Sequence, residues 1–551
     1  MDQSIKYLSL GGIGNVTRNM SVYEYGDEIL LVDCGLGFAD ETMLGVDLLL
    51  PDISYLQKSQ KKIVGMVISH GHEDHIGALP FILPQLPAFP IYATPLTAAL
   101  ANGKLNEFQV LARVKPVDFN GGEINLGKFS VNFIRVTHSV PDTSNLFIKT
   151  PVGNFFHASD FKFDLTPYDK QKPQFDKIAK AAESGIMCLL SDSLGAEKKG
   201  HTPSEQVLSE HIERVMSETE GKFFITTFSS NISRLNQAAD AAKKMGRKIC
   251  FVGRSLINAT AIAKDLGYMK IDKSLEISVR DIKNYKDRDL CIVIAGSQAQ
   301  EGSGLSRAAN DDFREIKIGP RDVVVFSSDP IPGNENSINA LIDTISRKGA
   351  RVVYSEISDN FHVSGHGSQQ DLLLMMSLVK PKKLLPIGGT YRHMVAYRNL
   401  AKTAGFKEED VLMVENGQEL IFSGEEVRLG KKHIARNIYV DEISGEEVES
   451  FVLRDREKIA KEGVVIVMAE IDSQNGQLIE KPIVIVRGMG SQDSDTIDKR
   501  MPQELRDVLA RRGGKVTNWI YIRKTIGDAT ERFIFKTLRK RPLVLPVVVE
   551  V

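Results

Sequence analysis

The sequence predicts an α/β protein built from more than one domain, and three features carry that expectation. Its 551 residues exceed what one hydrophobic core usually organises. The first 200 residues are strand-rich with short helical patterns between the strands, which fits two sheets with helices outside. From residue 201 to about 360 strand and helix alternate, the rhythm of a parallel, helix-flanked sheet.

Strands are expected at 5–10, 20–25, 28–32, 63–69, 129–136 and 155–158, broken by Gly, Pro and Asp turns, with helices near 76–83 and 96–101. In the alternating region, strand 223–227 precedes helix 232–244, and strand 248–252 precedes helix 255–265. Apolar strands follow at 291–295 and 323–327, and helix 337–347 leads to strand 352–354. A strand–helix–strand pattern returns between 381 and 423, and a charged segment at 425–449 reads as a linker. The last unit is expected to hold strands 464–471 and 483–487, helices 501–512 and 516–539 (the second interrupted), and a closing strand 543–549.

Composition excludes several classes. The chain is 42% hydrophobic and 26% charged, ordinary for a soluble globular protein. No apolar run reaches the roughly 18 residues of a membrane span, and Met1-Asp2-Gln3-Ser4-Ile5-Lys6 lacks an export signal. Cys34, Cys188, Cys250 and Cys291 form no CxxC pair and read as buried thiols of a cytoplasmic protein. A formal net charge of −1 gives no global pull toward polyanions, so any nucleic-acid site must be local.

Chemistry concentrates in Ser69-His70-Gly71-His72-Glu73-Asp74-His75-Ile76-Gly77. A strand ending at His70 sends His70 and His72 out through a tight loop, and Asp74 and His75 stand at a helix start. Two neutral imidazoles suit one zinc, and a carboxylate with an imidazole suits a neighbouring one. The plain alternative is a solvated His-rich turn. Three further strand-end residues, His138, Asp160 and Asp33, are candidates to complete the site, although a lone strand-end Asp is more often a turn former.

The His70–His75 run resembles the HxHxDH signature of the metallo-β-lactamase superfamily. Asp192 in Leu189-Leu190-Ser191-Asp192-Ser193, with Gly200-His201-Thr202-Pro203-Ser204-Glu205 behind it, resembles the first motif of the β-CASP nucleic-acid branch. Phe228 to Arg234, Phe326 to Glu335, His362-Val363-Ser364-Gly365-His366-Gly367 and Val452-Leu453-Arg454-Asp455-Arg456 are similar to ribonuclease J. That resemblance implies a metallo-β-lactamase αββα sandwich (1–200 and 363–430) with an inserted β-CASP parallel-sheet domain (201–362). A linker (431–449) and a small α/β C-terminal domain (450–551) that supports oligomerisation would follow.

The resemblance also implies roles. His70, His72, Asp74, His75, His138 and Asp160 would hold two zinc ions, with His138 on the first and Asp160 bridging, and Asp33 would steady the site from behind. Asp74, Asp192 and His366 would carry catalysis, His366 as the proton donor held by Asp192. Ser229, Ser230, Asn231 and Arg234, together with His362, Val363, Ser364, Gly365 and His366, would contact a terminal nucleotide and its 5′-monophosphate. Read locally, Asn231 fits equally well as a helix N-cap with a surface Arg. The implied activity is zinc-dependent 5′-to-3′ exonuclease and endonuclease action on RNA, in a cytoplasmic homodimer or higher homo-oligomer.

The pattern departs from the family at one place. The stretch Leu385-Pro386-Ile387-Gly388-Gly389-Thr390-Tyr391-Arg392-His393 puts Gly388 where the family has a second-metal histidine. His393 offers a substitute. The alternative reading is therefore an impaired copy acting as a scaffold that binds RNA or an active paralogue. Arg511, Arg512, Lys515, Arg523, Lys524, Arg539, Lys540 and Arg541 read as a solvated helix face, and Trp519 as packing.

Overall fold

A computed structural model describes residues 4–40, 42–331, 333–354, 362–424, 426–441, 445–511 and 518–551. It has two compact units, one of Met1–Phe38 with Leu48–Ile438 and one of Ala39–Asp47 with Tyr439–Val551.

In the first unit, an eight-stranded sheet runs in the order Glu426–Lys432, Gln418–Ser423, Ile5–Gly11, Met20–Tyr25, Glu28–Val32, Lys62–Ile68, Ile91–Ala93, Val114–Pro116. A six-stranded sheet runs Ile124–Leu126, Phe129–Arg135, Ser144–Lys149, Asn154–Ser159, Ile186–Asp192, Lys383–Ile387. Side chains alternate across these strands, so each strand serves two cores. Leu146, Ile148 and Phe155 face Tyr7, Tyr23, Leu30 and Val67 of the other sheet. Phe147, Phe156 and Ala158 point the other way, toward Ile178, Leu372, Met376 and Tyr397 on outer helices. Two stacked sheets with helices outside are the expected αββα sandwich.

The inserted domain is a fully parallel sheet in the order Lys248–Val252, Leu290–Ile294, Phe223–Thr226, Val323–Phe326, Arg351–Val353. Helices cover both faces. Phe223, Ile225 and Val325 pack on Ile232, Leu235 and Ala239, while Phe224, Val324 and Phe326 pack on Leu305, Ile338 and Ile342. Strands buried on both faces explain the near-continuous apolar runs in the sequence. The insertion leaves from Ile186–Asp192 and returns into Lys383–Ile387, two neighbouring parallel strands registered Cys188 to Lys383 and Asp192 to Ile387. The chain leaves at the Asp192 end of the first strand and is back at that end at His366, which meets Asp192, before helix Gln369–Val379 carries it to Lys383 at the start of the second.

In the second unit, strands Ile483–Arg487, Val464–Ile471 and Leu543–Glu550 form one sheet. Helices Ser491–Ala510 and Trp519–Leu538 cover it through Val465, Val467, Ile497, Leu505, Ile522 and Ile526.

Several expectations need correction. The 76–83 helix is two single turns, Glu73–Ile76 and Leu79–Ile82, followed by the 3-10 turn Leu83–Gln85. Pro80 and Pro84 lack the N–H groups that would continue the ladder. The linker's first part is an edge strand, Glu426–Lys432, whose exposed polar residues masked its pairing with Gln418–Ser423. Helix 501–512 begins ten residues earlier, at Ser491, because its first turns are polar, and its expected end, Arg512, lies outside the described residues. The helix expected to be interrupted runs unbroken from Trp519 to Leu538, with Gly527 beside Pro546 of the closing strand. Its expected first residues, Val516 and Thr517, and Lys515 of the basic group also lie outside the described residues. Arg523, Lys524, Arg539 and Arg541 are exposed, Lys540 pairs with Asp493 at 2.7 Å, and Trp519 packs on the core. All four cysteines are free and buried. No helix of the described residues is long and apolar enough to cross a membrane.

Candidate metal centre and nucleic-acid site

The Lys62–Ile68 strand ends in Ser69 and His70, both fully buried, and the chain turns through Gly71 so that His72 becomes the N-cap of Glu73–Ile76. That one helical turn carries Asp74 and His75 back over the strand ends. The loop behind Asp33 holds it there: Cys34 N–H donates to His75 O at 2.8 Å and Leu36 N–H to Glu73 O at 3.1 Å. Gly35 lies so close to the Asp74 carbonyl that any Cβ would overlap it.

Two donor groups result. His70, His72, His138 and Asp160 form the first, and Asp74, His75 and Asp160 the second, the donor atoms of each lying within 4.8 Å of one another. In the first, His70 Nε2 stands 3.2 Å and His138 Nε2 3.1 Å from His72 Nδ1. Asp160 Oδ2 lies 3.7 Å from His70 Nε2, 3.9 Å from His138 Nε2 and 3.3 Å from His75 Nε2, so one carboxylate serves both groups. His75 Nε2 is 3.6 Å from Asp74 Oδ2.

The rear nitrogens are held separately. His75 Nδ1 pairs with Asp33 Oδ2 at 2.7 Å, His138 Nδ1–H donates to Gly365 O at 2.6 Å, and His70 Nδ1 meets Ser69 Oγ at 3.0 Å. Asp33 also accepts from Ser69 N–H at 2.7 Å, so it orients two ligand-bearing segments. Partners of this kind fix the tautomer and aim the Nε2 lone pair forward.

Burial pushes His70 and His138 well below the ordinary imidazole range, with their neighbouring histidines adding to it, and pushes His72 down to about 3. Burial also opposes a proton on His75, but Asp33, Asp74 and Asp160 outweigh it and hold that imidazole well above its usual range. Burial lifts Asp74 to about 6. Asp160 would be lifted likewise, yet His75 and His366 hold it well below. Neutral imidazole nitrogens converging at 3.1–3.2 Å beside ionised carboxylates fit a divalent cation, whose binding would displace the proton on His75.

A third group adjoins these: Asp160, Asp192 and His366. Asp192 is fully buried, accepts from Leu194 N–H at 2.8 Å, and holds His366 Nδ1 at 2.7 Å through its other oxygen. Burial opposes protonation of His366, but Asp192 and then Asp160 raise it to about 9.

Gly388 lies over this junction in the left-handed region at φ 64°, where a Cβ would meet Asp160 Oδ1 at 3.3 Å and Asp192 Oδ1 at 3.7 Å. The second group thus has three donors where the first has four. His393 does not replace the missing one. Its Nδ1 meets Thr390 Oγ1 at 3.1 Å as a helix cap, and its Nε2 faces Glu197 at 3.5 Å.

The expected substrate residues divide. Ser229 and Ser230 are half-buried before the Ile232–Lys244 helix, and Asn231 caps that helix by accepting from Arg234 N–H at 3.0 Å. Arg234 is fully buried, its guanidinium directed to Glu205, Gln237 and Ser327, not to a surface. In the second segment, Gly365 holds His138, Ser364 Oγ accepts from His366 N–H at 3.1 Å, and Val363 is buried. His362 Nε2 faces Asp329 Oδ2 at 3.2 Å, and its buried Nδ1 has no partner among the described residues.

Sequence reasoning missed Asp371 and gave Asp329 and Glu205, which stand in motifs it singled out, no role of their own. Asp371 is fully buried and accepts from Phe163, Thr202 and Ser368 N–H groups at 3.0 Å each, tying three site segments together. The Ser368-x-x-Asp371 capping spacing was its available signal.

Comparison with known proteins matches the same regions. Residues 13–169 match the metallo-beta-lactamase superfamily, and 220–345 match the ribonuclease J beta-CASP domain. Residues 349–414 match the Zn-dependent metallo-hydrolase RNA specificity domain, and 451–551 the ribonuclease J C-terminal domain. The chain is 34% identical to ribonuclease J2 of Bacillus subtilis (strain 168), covering 100% of this chain and 99% of that one. It is 36% identical to ribonuclease J 1 of Streptococcus pyogenes (98% and 96% covered) and 35% identical to ribonuclease J of Thermus thermophilus (99% and 95%). A solved Enterococcus faecalis V583 protein of unknown function shares the fold over 76% of this chain and 100% of that one, at a TM-score of 0.55 and 17% identity.

Proposed function

The chain belongs to the ribonuclease J family of metal-dependent ribonucleases, and on that premise we propose that it removes nucleotides from RNA 5′ ends bearing a monophosphate, with internal cleavage as a second mode. The observation that carries the reading is the His366–Asp192 pair beside Asp160, the carboxylate common to both donor groups. Zinc held by His70, His72, His138 and Asp160, and by Asp74, His75 and Asp160, would supply Lewis-acid activation of water and of the scissile phosphodiester.

The rest falls to this chain's own groups. His366, protonated because Asp192 holds its Nδ1, gives the Nε2 proton to the departing 3′-oxygen. Asp33 and the Gly365 carbonyl fix His75 and His138. Ser229 and Ser230, with His362, Ser364 and the backbone around Gly365, take the terminal nucleotide and its phosphate. Asn231 and Arg234 contribute by holding the serine loop. The protein works in RNA maturation and decay, in the cytoplasm, as a homo-oligomer.

Gly388 supports a second reading, an impaired copy that binds RNA or an active paralogue, because it leaves the second donor group one ligand short. Metal content measured beside digestion of 5′-monophosphorylated RNA, for this chain and for Gly388→His, separates the two. About two zinc per chain with RNA degradation supports the enzyme. One or none, with RNA retained but uncut until the histidine is added, supports the scaffold.

A further inference from the structure

Between the loop 160–164 behind strand Asn154–Ser159, here the metal loop, and the inserted domain lies a buried charge triad of which the chemistry above uses only Arg234. Glu205 Oε1 accepts from Lys162 Nζ at 3.1 Å, and its Oε2 accepts from Arg234 Nη2 at 2.7 Å. Lys162 and Arg234 are both fully buried, and Glu205 is 3% exposed. The backbone of Glu205 is committed as well: its N–H donates to Asp164 Oδ2 at 2.9 Å and its carbonyl accepts from Gln237 Nε2 at 2.7 Å.

Lys162 and Asp164 follow Asp160 on the metal loop. Arg234 opens the helix behind Ser229 and Ser230, and its Nη1 donates to the Ser327 carbonyl at 3.2 Å and to Ser327 Oγ. Glu205 therefore joins three segments of distant sequence: the metal loop, the serine loop before the Ile232–Lys244 helix, and the Ser327-Ser328-Asp329 strand end that faces His362.

The metal loop has other anchors. Lys162 N–H donates to Thr137 O at 2.9 Å, Thr137 Oγ1 donates to Lys162 O at 2.7 Å, and Phe163 N–H donates to Asp371 at 3.0 Å. On the inserted-domain side, Glu205 is an acidic partner, among the described residues, of the fully buried Arg234 guanidinium. A buried carboxylate between two cations is expensive to desolvate compared with apolar packing, and its best-attested return is a fixed register between elements.

We infer that Glu205 is a positioning residue for RNA binding: through Arg234 it sets the serine loop and the Ser327–Asp329 strand end in register with the metal loop, without touching substrate. This rests on the substrate contacts assigned under the proposed function. Arg234 is accordingly part of the frame and not a phosphate ligand.

Two variants test it. Glu205→Gln leaves two buried cations facing one neutral amide. Arg234→Lys keeps the charge but loses the planar fork that spans Glu205, Gln237 and Ser327. Each is expected to raise KM for a 5′-monophosphorylated oligoribonucleotide about tenfold or more, with kcat changed less than about twofold. The RNA dissociation constant, measured in a His366→Ala background where RNA stays intact, should rise in parallel, and metal content should not change. The double variant should show no more than the larger single effect, since the residues act as one unit. Unchanged KM and dissociation constant with only a lowered thermal midpoint would make the triad purely structural and overturn the inference. A loss of kcat with metal content would overturn it too, by placing the effect on the metal loop. If Glu205→Gln does not fold, Arg234→Lys decides alone. Should unmodified protein bind 5′-hydroxyl and 5′-monophosphate RNA equally, the terminal-phosphate reading fails, while the shift in dissociation constant still judges Glu205.

Discussion

Replacing Asp192 with Asn keeps the shape of the acid pair and removes its charge. The amide can still accept from Leu194 N–H, so the backbone at the Ile186–Asp192 strand end is preserved. What changes is the hold on His366. Burial alone drives that imidazole down, and Asp192 and Asp160 together lift it to about 9. A cation on Asp160 neutralises that carboxylate's pull and leaves Asp192 as the group holding the proton. Without Asp192 the value falls to the ordinary imidazole figure of about 6.5 or lower. A proton donor must be charged before it acts, so activity disappears as pH rises through its pKa. At pH 8, about 90% of His366 holds its proton when the pKa is about 9, and about 3% when it is about 6.5, a difference of roughly thirtyfold. The kcat of both proteins, measured from about pH 6 to 10 on 5′-monophosphorylated RNA with saturating metal, should then show the alkaline limb moving down by about 2.5 units or more in Asp192→Asn. The two curves should approach each other at the acid end. A uniform loss at every pH, or a limb that stays in place, would refute the assignment of His366 as the proton donor held by Asp192. The stability linkage has the same sign. A raised folded-state pKa adds stability that is complete below the unfolded value and is lost as pH rises through about 9.

Other outcomes follow from the same geometry. Gly388→His should raise the zinc retained after dialysis toward two per chain, at a cost of roughly 1–2 kcal/mol for a side chain at φ 64°; elemental analysis and denaturant titration check both, and unchanged stoichiometry would show that position 388 does not reach the second donor group. Asp33→Ala frees His75 Nδ1 and Ser69, and should weaken metal affinity about 10–100-fold by competition with a chelating dye. Asp371→Ala strands the buried N–H donors of Phe163 and Thr202, while Ser368 N–H keeps Thr202 Oγ1, and should lower unfolding free energy by about 2 kcal/mol or more in urea titrations.

The legible parts of this protein were those where chemistry and backbone geometry coincide locally. The His70–His75 run could be read because its ligands share one strand end and one helical turn. His138, Asp160 and Asp33 could be read because each closes an apolar strand. The parallel sheet was visible in runs buried on both faces. Elements set by distant partners were not legible. The Glu426–Lys432 strand is polar and exposed, so only its pairing with Gln418–Ser423 makes it a strand. Helices Phe175–Glu183 and Gln369–Val379 pack on the outer face of the six-stranded sheet, and nothing in their short sequences says so. Arg234, read as a phosphate contact or as a surface arginine behind an N-cap, is instead fully buried, and for the same reason that could not be seen. An arginine after an N-cap reads as solvent-facing until Glu205, 29 residues away, is placed beside it.

Gly388 shows how a single position can separate two parts of one site. The first donor group is complete without it, since three imidazoles and Asp160 come from the strand ends of the sandwich alone. The His366–Asp192 pair is also complete, because its two members come from the junctions that bracket the inserted domain. A side chain at the 388 turn would meet Asp160, which both donor groups share, and Asp192. A glycine at that turn leaves the four-donor group and the His366–Asp192 pair in place. A site that had simply drifted would be expected to lose the support behind its ligands too. Instead Asp33, Ser69, Gly365 and Asp371 all retain their partners at 2.6–3.0 Å. Support of this kind behind the donor residues is what the proposed nuclease requires, and metal content measured beside RNA digestion decides between it and the scaffold.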